Sequence, residues 1–288
     1  MPELPEVETM VRGIRPFVEG RVLREVVACP CACRPITLDP TIKAIQRTVA
    51  GRTVSAVRRR AKRIVMELDS GAAFVIEPRM TGLMLLSDPP NTTHLRLEWR
   101  FAPAPGVTEA AGNSIWFWDQ RGLGTVRLYN PEQLAMALSS DRIGPDALEM
   151  TAADWKRVCG STDRAIKVVL LDQKQVGGIG NLYASEILHL SRIHPERKAS
   201  SLTTRERTRM ASAVLAVLEE AILYEGSTLS DGTYRNALNE SGSYQNAHKV
   251  YDREGRECFT CGGQTIQRIV QAQRSTFFCV KCQKAPRE

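Results

Sequence analysis

Apolar residues recur at Val7, Met10, Val11 and Ile14, spaced three and four apart, with Pro5, Glu6 and Glu8 in the first turn. This spacing predicts an amphipathic helix at the N-terminus, stopped by Pro16 and Gly20. From about residue 51 the pattern changes. Thr53–Val57, Ile64–Leu68, Ala73–Ile76, Leu83–Leu86, His94–Phe101, Ser114–Trp118 and Thr125–Tyr129 are short runs separated by Gly, Asp, Pro or Asn. Evenly spaced short strands predict a sandwich or barrel. Ala102–Asn113, rich in Pro, Gly and Ala, reads as a long hairpin loop. Helical spacing returns at Pro131–Leu138, Ala152–Cys159, Ile166–Gln173, Leu182–Ser191 and Thr204–Tyr224. The last is the clearest: Thr203 or Thr204 can cap it, Met210, Val214, Leu215, Val217, Leu218 and Ile222 form one face, and Gly226 follows. Ser227–Asn246 is polar, and a cysteine-bearing tail ends the chain. The predicted architecture is α+β and multidomain: a helix plus β-sandwich over residues 1–130, a helical domain over 131–230, and a loop with a metal-stapled hairpin over 231–288.

Composition narrows the class. In 288 residues, 43% are hydrophobic and 25% charged, enough for an ordinary core and too apolar for disorder. Thirty-nine Lys plus Arg against 32 Asp plus Glu leave a net charge of +7, which is compatible with a nucleic-acid partner. No apolar run approaches the roughly 18 residues of a membrane span. The acidic first ten residues do not read as a secretory signal. A cytoplasmic protein is expected, nucleoid-associated in a bacterium.

Cysteine spacing is more specific. Eight randomly scattered cysteines would give about 0.2 Cys-x-x-Cys pairs; here Cys258-x-x-Cys261 and Cys279-x-x-Cys282 stand seventeen residues apart. Two such knuckles on a hairpin supply four thiolates for one closed, structural Zn²⁺ site, with no ligand position open for catalysis. Cys29, Cys31 and Cys33 alternate beside a proline. One-residue spacing is not a knuckle, so the triple reads as ordinary thiols, with a second metal site as the alternative.

The start, Met-Pro-Glu-Leu-Pro-Glu-Val-Glu, offers chemistry special to a terminus. Removing Met1 would expose Pro2 as a secondary α-amine of pKa about 8, partly neutral near pH 7. Its attack on a sugar C1′ gives an iminium that cannot shed its charge by deprotonation. That electron sink acidifies C2′ and promotes loss of the 3′ phosphate. Glu3 could protonate the opening sugar or hold the amine.

Met-Pro-Glu-Leu-Pro-Glu-Val-Glu-Thr closely resembles the start of formamidopyrimidine-DNA glycosylases, the base-excision enzymes related to endonuclease VIII. Further along, Arg59-Arg60-Ala61-Lys62, Ile143-Gly144-Pro145-Asp146 and Ala165-Ile166-Lys167 resemble family segments. So do Gly177–Glu186, which is similar to the helix–two-turn–helix signature, and Gln273–Cys279, which is similar to the zinc-finger hairpin. The resemblance covers nearly the whole chain.

It implies a bifunctional glycosylase and lyase acting on oxidised purines in double-stranded DNA, as a monomer and away from membranes. Pro2, Glu3, Lys62 and Arg274 are the implied catalytic set; Met80, His94, Arg121, Leu123 and Asn181 the implied DNA contacts; Cys258, Cys261, Cys279 and Cys282 the implied zinc ligands. Arg58, Arg59, Arg60 and Arg63 would add salt-sensitive affinity around Lys62. Two departures from the family pattern stand out. Leu123 replaces a Phe in the wedge that fills the gap left by an everted nucleotide, and Glu77-Pro78-Arg79 precedes Met80 where a His-Leu-Gly-like stretch is usual. A glycosylase for oxidised pyrimidines and a non-catalytic zinc DNA-binding protein are the alternatives; the second leaves Pro2, Glu3 and Lys62 unexplained.

Overall fold

In the computed structural model, residues 2–87, 89–103 and 112–285 are described. Helix α1 (Leu4–Val18) starts with Glu3 as its N-cap and buries Leu4, Val7, Met10, Val11, Ile14 and Val18. It runs through Pro16 instead of stopping there. Pro16 cannot donate to the Arg12 carbonyl, so the last turn gives up one helix bond, and burial of Val18 holds that turn in place.

Three elements follow where the sequence pattern predicts none: β1 (Val22–Ala28), β2 (Thr37–Asp39) and α2 (Ile42–Val49). The next seven strands fall on the predicted runs: β3 (Arg52–Arg60), β4 (Arg63–Leu68), β5 (Ala73–Glu77), β6 (Gly82–Leu85), β7 (Leu95–Phe101), β8 (Ser114–Asp119) and β9 (Thr125–Tyr129). They hydrogen-bond in the order β2-β9-β5-β4-β3-β1-β7-β8-β6, antiparallel except for β2 with β9. Strand β3 joins two leaves: its start pairs with β1 (Val22↔Thr53), and from Val54↔Leu68 it pairs with β4, across an irregularity between Val54 and Ala56, as far as Arg60↔Arg63. The leaves close on each other as a sandwich. Phe74 of β5 meets Trp99 of β7 edge-to-face at 5.7 Å, both fully buried in one apolar cluster. Strands β7 and β8 pair on either side of the expected hairpin loop (Arg100↔Ser114), of which 104–111 lie outside the described residues.

Helix α3 (Pro131–Ala137) lays Leu134 against the outer face of the sheet at Val65, Ala73 and Val75. The chain forms two units, residues 1–139 with 224–245, and residues 140–223 with 246–288. The first therefore takes in α3 and a distant segment, where the sequence reading divides the chain at 130 and 230. Tyr234 and Ala237 join the sandwich core, and the Leu86 amide donates to the Ala237 carbonyl at 2.8 Å.

The second unit holds α4 (Ala152–Gly160), α5 (Ile166–Leu171), α6 (Asn181–Leu190) and α7 (Thr204–Leu223), then the hairpin β10 (Gln267–Gln271) and β11 (Arg274–Phe278). Thr151 and Asp154 cap α4 reciprocally. Helix α6 is buried over Leu182–His189, so its polar residues are committed to internal partners. Among the described residues, no helix is long and apolar enough to cross a membrane.

Candidate functional site

In the first unit, Pro2 is buried and Glu3 is 3% exposed, directly ahead of the α1 N-terminus. The Glu3 amide donates to Glu6 Oε2 at 2.9 Å. The other Glu6 oxygen, Oε1, accepts from the Ser227 amide at 2.9 Å, so one buried carboxylate fixes both the chain start and the returning segment. Gly226, at φ +78°, leaves no room for a side chain there: a Cβ would sit 2.8 Å from Glu6 Oε1. The positive end of the helix favours a carboxylate and a neutral amine at this spot.

Lys62 is the second residue of the two-residue turn between β3 and β4, after Ala61 at φ 53°. Two bonds orient α1 along β3: Arg15 Nε donates to the Val57 carbonyl at 2.7 Å, and Arg59 Nε reaches Glu8 Oε2 at 2.9 Å. The N-terminal end of the helix thus runs toward the Ala61–Lys62 turn, bringing Pro2, Glu3 and Lys62 to one end of the unit. The basic neighbours also have acidic partners within the unit. Arg58 pairs with Glu67, the nearly buried Arg59 with Glu8, and Arg63 with Glu77, so much of this charge is balanced internally.

The residues expected to form the wedge are gathered by Asp119, which is fully buried. Its Oδ1 takes bonds from the Thr81 hydroxyl and the Arg121 amide (3.2 Å), its Oδ2 from the Gly124 amide (2.8 Å). Arg96 Nε and Nη2 clamp its carbonyl at 2.8 and 2.6 Å. Met80, beside Thr81, is thereby set next to the loop carrying the exposed Arg121 and half-buried Leu123. Gly122 between them has φ +61°, and a Cβ on it would lie 2.2 Å from the Arg34 carbonyl oxygen. His94 lies at the base of this loop: its carbonyl accepts from the Asp119 amide at 3.0 Å and its ring packs edge-on to Trp118. Arg79, in the departing stretch, is exposed at φ 57° and pairs with Glu77 at 3.1 Å.

In the second unit, Asn181 opens α6 and Arg274 opens β11 after the turn residues Ala272 and Gln273. Lys167, only 1% exposed, is the residue the sequence reading missed as an organiser. Its Nζ donates to Asn181 Oδ1 (2.9 Å), the Ser275 carbonyl (3.1 Å) and Thr276 Oγ1 (2.7 Å), while Asn181 Nδ2 donates to the same Ser275 carbonyl at 3.0 Å. A lysine among Ile166, Val168, Val169 and Leu170 was the available signal, since lysine is almost never fully buried unless paired. Glu186, buried in α6, accepts from the amides of Lys249, Val250 and Tyr251 at 2.7–3.0 Å. Burial pushes its carboxyl pKa up, and those amides partly oppose the shift. His189 bridges Gln283 and Thr260, tying α6 to the hairpin module.

The four tail cysteines fit zinc. Their sulfurs all lie within 4.8 Å of one another, with Cys258 to Cys282 at 3.9 Å and Cys261 to Cys279 at 3.7 Å. A tetrahedron with Zn–S bonds of about 2.3 Å requires sulfurs about 3.8 Å apart. Without a cation the thiols oppose one another's ionisation. The Gly263 amide helps bring Cys261 down to about 7, while burial and the neighbouring thiols push Cys282 up to about 12. A divalent ion removes that conflict.

Known proteins agree with this arrangement. Family models match the formamidopyrimidine-DNA glycosylase N-terminal domain over residues 1–126, its H2TH domain over 143–233, and a zinc finger found in FPG and IleRS over 258–285. The formamidopyrimidine-DNA glycosylase of Rhodopseudomonas palustris (strain TIE-1) is 36% identical over 299 residues, covering 99% of this chain and all of the relative. The crystal structure of the MutM (FPG) protein from Thermus thermophilus superposes with a TM-score of 0.82 at 35% identity, covering 99% and 100% of the two chains. Lactococcus lactis Fpg in complex with abasic-site DNA gives 0.85 at 28% identity, with the same coverage. With three family domains in order and full-length relatives above 30% identity, the chain belongs to the formamidopyrimidine-DNA glycosylase family.

Proposed function

We propose that this member of the family is a bifunctional glycosylase and AP lyase of base-excision repair that removes oxidised purines. The observation that carries the reading is the chain start, where Pro2 and Glu3 are buried at a helix N-terminus on the same end of the unit as Lys62. Once Met1 is removed, the neutral Pro2 amine attacks C1′ of an everted nucleotide. The C1′–N bond breaks and the sugar ring opens, with Glu3 supplying the proton. The iminium drains electrons from C2′, whose proton is lost as the 3′ phosphate leaves; a second elimination releases the 5′ phosphate. Lys62 steadies a phosphate and assists base loss. Arg274 serves the phosphates at the lesion during late elimination, and Asn181 with the backbone at the start of α6 holds a neighbouring phosphate. Zinc, bound by Cys258, Cys261, Cys279 and Cys282, keeps a hairpin folded that is too small to hold itself. The partner is damaged duplex DNA, met by a monomer in the cytoplasm or nucleoid.

Borohydride trapping tests this reading. Reduction in the presence of DNA with 8-oxoguanine or an abasic site is expected to give a covalent adduct at Pro2. Absence of an adduct in zinc-loaded protein that binds the DNA would overturn it. Excision of 8-oxoguanine in preference to thymine glycol is the expected lesion order.

A further inference from the structure

Cys31 and Cys33 play no part in the chemistry above, yet they are not scattered thiols. Both are half-buried in the irregular segment after β1, where the chain bends at Cys33. Cys31 Sγ accepts from the Cys33 amide at 3.3 Å and from Arg96 Nη1 at 3.0 Å, and its thiol reaches the Thr93 carbonyl at 3.0 Å. Cys33 Sγ lies 3.4 Å from His94 Nδ1. Cys29 lies near Glu98 and Arg100 and feels Cys31 electrostatically, but no hydrogen bond links it to either thiol among the described residues. Two residues along a chain span at most about 7 Å, and a bend shortens that toward the 4.4–6.8 Å range of disulfide Cα separations.

We propose that Cys31 and Cys33 form a hydroperoxide-reactive dithiol whose oxidation loosens the loop that carries Arg121 and Leu123. The two sulfurs differ in the required sense. Burial opposes ionisation of Cys31, but the Cys33 amide and thiol and the Arg96 guanidinium outweigh it, leaving its pKa below the ordinary thiol value. Hydrogen bonding to Cys31 and burial push Cys33 up. An accessible low-pKa thiol beside a resolving cysteine is the arrangement that peroxide-sensing sites use.

In the first step the Cys31 thiolate attacks one oxygen of a hydroperoxide. An S–O bond forms as the O–O bond breaks, and the departing alkoxide takes a proton from solvent. In the second, Cys33 passes its proton to His94 Nδ1 and attacks Cys31 Sγ. The S–S bond forms, and hydroxide leaves as water with that proton. Two thiols and one hydroperoxide yield a disulfide, an alcohol and a water. The disulfide sulfur is a poorer acceptor for Arg96 than the thiolate. Arg96 also holds the Arg34 carbonyl (3.0 Å) and the Asp119 carbonyl, and Gly122 packs on that same Arg34 carbonyl. A shift in the cysteine segment therefore reaches the loop by direct contact.

The consequence for excision rests on the wedge reading of Arg121 and Leu123; the oxidation chemistry does not, so the two fail separately. The test treats full-length, zinc-loaded protein with a few equivalents of hydrogen peroxide, then uses differential alkylation and intact mass. Loss of two hydrogens is expected, mapped to the Cys31–Cys33 peptide, with zinc content unchanged and Cys159 still reduced; burial pushes the latter thiol up to about 11. The product should persist in Cys29→Ser and vanish in Cys31→Ser and Cys33→Ser, with Cys33→Ser trapping a sulfenic acid at residue 31. A disulfide through Cys29, or loss of zinc before any change at Cys31, would overturn the site. Oxidised wild type should excise 8-oxoguanine from paired duplex roughly three- to tenfold more slowly, recovering with dithiothreitol, while abasic-site trapping is unchanged. A quantitative disulfide without that slowing would overturn the link to the loop.

Discussion

The two units hold their functional side chains by different means. In the first, a large sandwich core supplies rigidity, and a few carboxylates aim the parts: Glu6 at the chain start, Asp119 at the wedge loop. In the second, the hairpin bearing Arg274 rests on a small core of Val250, Ile266 and Phe277, and depends on a buried lysine and a metal. On the proposed function, chemistry that needs one atom placed to a fraction of an ångström would sit on the sandwich. Phosphate binding by Arg274, which tolerates a looser fit, would sit on a hairpin held by polar ties beside the helical core of Trp155, Tyr183 and Leu218.

The sharpest way to break this comparison is to alter the terminus. One residue added before Pro2 should abolish trapping and lyase activity by on the order of 10³-fold or more, with DNA affinity nearly unchanged in a gel-shift titration. A matching loss of affinity would mean the first unit also carries the grip. Next in size is Lys167→Met, which deprives Asn181, Ser275 and Thr276 of a shared donor at about 1–3 kcal/mol per buried group left unsatisfied. DNA affinity should fall about tenfold or more, while the sandwich keeps its near-ultraviolet circular dichroism. Cys258→Ser should act in the same direction with loss of zinc. Should either variant instead melt the sandwich, the two units are not separately held.

Leu123→Phe restores an aromatic face worth roughly 1–3 kcal/mol of stacking per base. Single-turnover excision of 8-oxoguanine opposite C should improve, with cleavage at an abasic site barely altered, because extrusion limits only the paired substrate. Equal changes on both substrates would remove Leu123 from the limiting step. The smallest effect belongs to Arg79→Gly. Relief of a left-handed backbone should stabilise the first unit by about 1 kcal/mol, reduced by the loss of an exposed ion pair with Glu77 worth less than that. A lower unfolding midpoint would show that the ion pair outweighs the strain.

Where apolar spacing was regular, the sequence was a sufficient guide: α7 and the seven strands from β3 to β9 fall on their predicted runs. Strand β1 was hidden because a bulge between Leu23 and Glu25 leaves its buried Leu23 and Val26 three apart, a helical spacing inside a strand. Helix α2 was hidden because only Ile45 and Val49 are buried and no side chain caps it. The cysteine knuckles and the chain start were legible as chemistry. Lys167 stood out only as a lysine in an apolar run, and neither its role nor that of Asp119 was legible, since each is completed by distant partners, Ser275 at 108 residues and Thr81 at 38.

The first unit is assembled from two stretches of sequence separated by 84 residues of the second. A chain growing at about 5–20 residues per second therefore spends roughly 4–17 s with the sandwich emerged and its last strap still unmade. During that interval Glu6 lacks the Ser227 amide, and Tyr234 and Ala237 are missing from the core. Birth order alone should make the nascent sandwich a client for chaperones, and a fragment ending near residue 139 a poor surrogate for the finished unit.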